Sequence, residues 1–225
     1  MRRLAKAIDP SMAQNRSAMT AKRSAINAGL LRRAHAMFED EEPRNLFYKG
    51  AIFLIEHALQ PLPTLTLAES LAVLLQTWNV QYYRFHGKFT QKRLVALEAL
   101  LNKHMDALMS FRRQRLGDAE VDERQVSRLF ADFERELGPV GAAKALHLLA
   151  PSYFPLWDRA IAQKTYRLSL ASPAATSYVK LMTLVWAEIE ACGGWTAFTD
   201  DENAVKLIDE LHYCTATLGR HVPNS

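Results

Sequence analysis

The stretch "LGPVGAAKALHLLAPSYFPLWDRAIA", Leu137 to Ala162, decides the fold. Gly138-Pro139-Val140-Gly141 breaks the helical pattern of "RQVSRLFADFEREL" before it, and "AAKALHLLA" starts a second helix. Two helices meeting at a short glycine-rich turn make a helical hairpin. Pro151 and Pro155 then forbid helix and hold a rigid loop. Tyr153, Phe154, Leu156 and Trp157 are too apolar for an exposed loop, so the loop is predicted to be pinned on the core. Asp158 comes just before "RAIAQKTYRL", the place and the residue type of a helix N-cap.

Outward from this stretch the periodicity stays helical. Leu94, Leu97, Leu101, Met105 and Leu108 recur at helix spacing, with Gly117 read as the stop. "NLFYKGAIFLIEHALQ" is halted by Pro61 and Pro63, and Thr66 with Glu69 forms a capping box ahead of "LAVLLQTWNVQYY". Ser172-Pro173 reads as an N-cap with proline at the first helical position, opening a helix stopped by Gly193-Gly194. "DDENAVKLIDELHYCTATLG" reads as a last helix with an acidic start. Only "PTLTLA" alternates like a strand, and it is short. The expectation is an all-α fold of eight or nine helices around a central hairpin-like turn.

Length and composition bound the rest. The 225 residues, 49% hydrophobic, suit one compact domain, read as residues 21–225 behind a basic arm of residues 1–20. Residues 1–36 carry eight Lys/Arg against Asp9 alone, whereas the remainder carries 20 against 23 acids. Such an arm is a solvated tail, a phosphate-touching segment, or an Arg- and Ser-rich transit peptide. Cys192 and Cys214 form no CxxC pair, which fits a reducing, cytoplasmic setting. The sequence has no membrane span, Walker loop, HExxH or GxSxG. Neither metal nor cofactor is expected, and His57, His104, His147 and His212 read as satisfied core or boundary histidines.

Two features of the opening stretch carry chemistry. Glycines at a helix start let backbone N–H groups approach a phosphate, although the same residues also make a plain tight turn. An aspartate held at a helix start beside a tryptophan is a cap, or a carboxylate kept in a partly dry site. "L-G-P-V-G-A-A-K-A" resembles the L-P-G-V-G-x-K-T-A hairpin of helix-hairpin-helix DNA glycosylases of the endonuclease-III-like group, and "LWDRAI" stands where that group has its catalytic aspartate. "LAVLLQTWN", Leu71 to Asn79, is similar to the group's apolar helix ending in Leu-Ser-Gln-x-Thr.

The resemblance covers roughly residues 70–165 and implies a catalytic Asp158, a Lys144 of nucleophilic type, and DNA contacts at Gly138, Val140, Gly141, Gln76 and Asn79. Ala143 stands at the group's lysine position, with Lys144 one residue on, about 100° around the helix. Ala160 replaces the histidine after the aspartate, and the two cysteines that follow, Cys192 and Cys214, are too few for an iron–sulfur cluster. In this reading DNA is the partner, Trp157 or Tyr153 stacks on a base, and phosphates meet Arg84, Lys88, Lys92, Arg93, Arg112, Arg113 and Arg115. Among these, "YYRFHGKFTQKR" interleaves Tyr82, Tyr83, Phe85 and Phe89 with bases, as single-strand binders do. Two rivals stay open: a non-catalytic nucleic-acid-binding module on the same scaffold, and a helical protein-interaction domain in which Lys144 snorkels at the surface.

Overall fold

The computed structural model describes residues 26–43, 45–78 and 90–223, and these are all-helical, without a strand. Seven α-helices follow in order: α1 (Ala28–Glu41), α2 (Asn45–Ala58), α3 (Leu67–Trp78), α4 (Gln91–Arg112), α5 (Glu123–Leu149), α6 (Ala175–Ala191) and α7 (Ala204–His212). α5 is broken at Gly138, which gives eight α-helical segments among the described residues. No described helix is long and apolar enough to cross a membrane.

The break follows from one residue. Gly138 has φ 71° and ψ 169°, a region that only glycine enters without strain. Pro139 starts the second half, where its missing N–H costs nothing. That half is the centre of the molecule, since every residue from Gly141 to Ala150 is buried. α5 as a whole packs on α2, α3, α4 and α6, while α1 lies against α7. A helix buried on all sides must be apolar or have each polar group partnered. "GAAKALHLLA" contains two such groups, Lys144 and His147, and both are partnered.

The apolar loop behaves as its composition predicts. Tyr153, Phe154, Leu156 and Trp157 are buried. Phe154 and Tyr153 pack on Phe111, with ring centroids 5.1 and 4.7 Å away. Trp157 meets Phe130 and Tyr178 edge-on at 5.9 and 5.4 Å, and Tyr178 donates to Pro155 O at 2.8 Å.

Helix ends divide into local and distant devices. Thr66 and Glu69 form the reciprocal capping box: Thr66 N donates to Glu69 Oε2 at 2.7 Å, and Glu69 N to Thr66 Oγ1 at 3.2 Å. α6 stops in a Schellman turn, with Gly194 N on Ile189 O at 3.0 Å and Gly193 N on Glu190 O at 2.9 Å. Three readings need correction. α4 ends at Arg112, and Gly117 lies in the turn beyond it. The last helix starts at Ala204 under an Asn203 cap, so Asp200, Asp201 and Glu202 lie outside it; Glu202 instead takes Arg32 and Thr199 N. Ser172 is no N-cap, because α6 begins at Ala175 without a local side-chain cap. Buried Glu134 accepts Ala174 N at 3.1 Å on both oxygens, and Ser172 Oγ as well.

Candidate active site

Asp158 ends the apolar loop and caps the turn after it. Its Oδ1 accepts Ile161 N at 2.7 Å, the side-chain-to-backbone bond of an N-cap. Its Oδ2 accepts Thr217 Oγ1 at 3.0 Å. The helix it opens winds as a π-turn over Ile161–Thr165 and packs on a second π-turn, Tyr213–Thr217, which continues α7. Lys164 Nζ on Ala216 O at 2.9 Å ties the two together. π-turns are rare and recur at functional sites.

The loop is fixed to the break in α5 by one bond, from Trp157 Nε1 to Pro139 O at 3.0 Å. This bond sets Asp158 relative to the second half of α5, which carries Lys144. Lys144 is nine-tenths buried, with Nζ donating to Trp78 O at 2.7 Å and standing 5.6 Å from the Trp78 ring. A lysine snorkelling at the surface is therefore excluded.

Trp78, the last residue of α3, is the hub of a polar network that sequence reasoning missed. Tyr48 stacks on it at 5.6 Å and meets His147 Nε2 through its hydroxyl at 2.9 Å. His147 Nδ1 lies 2.7 Å from Phe154 O. A carbonyl only accepts, so Nδ1 carries the proton, and Tyr48 donates to Nε2. Burial pushes His147 down to about 3, so the ring is neutral. Burial likewise raises the Tyr48 hydroxyl far above its ordinary value, with Glu210 and Asp209 adding to the rise.

Lys206 of α7 enters the same network. Its ammonium stands 4.4, 4.9 and 5.9 Å from the rings of Phe38, Tyr48 and Trp78, and 3.1 and 3.4 Å from Glu210 and Asp209. Burial raises the Asp209 carboxyl; Lys206 opposes the rise, whereas Glu210 and Asp158 add to it. Contacts and charge thus run from Lys144 through Trp78, Lys206 and Asp209 to Asp158. The only local signal was a lysine within the apolar face of "AVKLIDEL"; which rings surround it depends on how α7 docks.

The other expected site residues separate. Gly138 and Gly141 are buried, Val140 is half-buried, and Gln76 is exposed near the end of α3. Trp157 and Tyr153 are not base-stacking platforms: both are core side chains, 1% and 3% exposed, and the Trp157 N–H is taken by Pro139. Asn79, Arg84 and Lys88, with Tyr82, Tyr83, Phe85 and Phe89, lie outside the described residues, as does the arm up to residue 25. Arg112 caps the end of α5 through Leu149 O at 2.9 Å, and Arg115 lies over Trp195 at 5.3 Å. Arg113 and Lys92 are exposed.

His104 lies 2.9 Å from Asp132, His212 2.8 Å from Glu188, and His57 3.1 Å from Thr64 Oγ1, so each has a partner as expected. Burial pushes both cysteine thiols up to about 11, which makes them poor nucleophiles. No family model, curated protein or solved structure matches the chain.

Proposed function

We propose that the protein is a DNA-base-releasing enzyme of the helix-hairpin-helix glycosylase kind, with Asp158 as its catalytic carboxylate. The observation that carries this reading is the Trp157–Pro139 bond, which fastens the Asp158 cap to the glycine break of α5. That is the order in which the resemblance places hairpin, loop and aspartate. In this mechanism a base is extruded from the duplex. The Asp158 carboxylate then faces the sugar as the N-glycosidic bond breaks, stabilising the positive charge that develops there. The helix N–H and Thr217 hold its two oxygens in one orientation.

Lys144 takes a positioning role in this account. Its amine is engaged by the Trp78 carbonyl, so water, not the amine, attacks the sugar and the strand is left uncut. Arg113, Lys92 and the basic arm supply phosphate contacts, which position DNA without reading it. The test is a panel of duplexes, each with one damaged base. Release of a base with an intact strand, and no borohydride-trapped protein–DNA adduct, is the expected result. Failure to release any base would remove the enzymatic reading, and a trapped adduct lost in Lys144→Ala would restore Lys144 as nucleophile.

A further inference from the structure

His35 and Glu39 lie four residues apart on α1, so both project from one face. That face meets α7, where Glu210 joins them, and one ligand atom from each of the three lies within 4.8 Å of the others. Glu210 Oε2 is 2.7 Å from His35 Nδ1, and its Oε1 takes Lys206 at 3.1 Å. Glu39 accepts from Asn45 Nδ2 and pairs with Lys49.

A second observation points to a ligand here. Asn45 opens α2 and is 5% exposed, and its Oδ1 is buried without a hydrogen-bond partner. Buried amide oxygens nearly always have one. The amide nitrogen is held on Glu39, so the free oxygen belongs to an amide already docked on one of the three cluster residues. Reversing the amide would set oxygen against oxygen. A cation held by this carboxylate would give the buried, unmet amide oxygen the partner it lacks.

We propose that His35, Glu39, Glu210 and Asn45 hold a divalent first-row transition cation. One imidazole, two carboxylates and an amide oxygen, with no sulfur, match Mn²⁺ or Zn²⁺ better than a thiolate-seeking ion, and the imidazole disfavours Mg²⁺ and Ca²⁺. The cation takes the place of the proton between His35 Nδ1 and Glu210 Oε2. Binding forms the metal–nitrogen and metal–oxygen bonds, and the displaced proton moves to Nε2 of the same neutral ring. Lys49, whose side chain is 59% exposed, swings away from Glu39 into water. The ion then ties α1, α2 and α7 together and stabilises the fold by mass action. This site is independent of base release.

The experiment uses the full chain, stripped with a chelator and titrated with MnCl₂ or ZnCl₂ by calorimetry. One ion per chain and a raised Tm are expected. His35→Ala and Glu39→Gln, both on the more open side of the cluster, should each weaken binding about ten-fold or more. Circular dichroism will show whether they stay folded. Absence of stoichiometric binding, or unchanged affinity in both folded variants, would overturn the proposal.

Discussion

Gly117 holds φ +94°, and a Cβ there would stand 2.3 Å from the Trp186 ring. The position therefore refuses any side chain on two counts, a backbone that L residues avoid and an aromatic wall. Gly117→Ala is expected to cost about 2–4 kcal/mol, read from the urea midpoint. His147 is legible in a different way. Its helical position among apolar residues predicted a satisfied core histidine, and it is one. The direction of its bonds was not legible, because Tyr48 and Phe154 come from other parts of the chain. Its ring pKa falls from 6.5 to about 3 on folding. Between these values the unfolded chain takes up a proton that the native ring refuses. Stability from this group is full above about pH 6.5 and is lost as pH falls towards 3. His147→Gln should flatten the stability–pH slope in that window by up to about 1.4 kcal/mol per pH unit, whatever its effect on absolute stability. An unchanged slope would show that the ring is not kept neutral.

Among the elements, local signals were legible and long-range ones were not. Thr66 and Glu69 lie three residues apart and settle their own geometry, so the capping box could be read from the letters. Asp158 was legible as a cap for the same reason. Ser172-Pro173 misled because the acceptor for the start of α6 is Glu134, far back on α5, and no local pattern announces a partner at that distance. Glu134→Leu is expected to cost about 2–4 kcal/mol, since it leaves Ala174 N–H and the Ser172 hydroxyl without their charged acceptor. Glu134→Gln keeps one acceptor oxygen and should lose less than half as much. Equal losses in thermal unfolding would mean that Glu134 acts by filling space, not by capping.

At the scale of the molecule, the all-helical architecture was legible from periodicity, and so was the apolar pinning of the loop from Pro151 to Trp157. The polar network around Trp78 was not, since Lys206 enters it from the other end of the chain. The same limit applies to Lys144: a one-residue offset rotates a side chain by about 100°, and only the docking of α3 decides that it ends on the Trp78 carbonyl. The account rests on Asp158, whose two oxygens are held by Ile161 N and Thr217 Oγ1. The most direct measurement compares base release and DNA affinity for the wild-type chain and Asp158→Asn. Asparagine keeps the shape and still caps the helix, so the fold and the DNA affinity should stay within about two-fold, a few tenths of a kcal/mol. Release should fall by a factor of about 100 or more, because the charge opposite the sugar is gone. Base release that persists undiminished in a folded, DNA-binding Asp158→Asn chain would contradict the account.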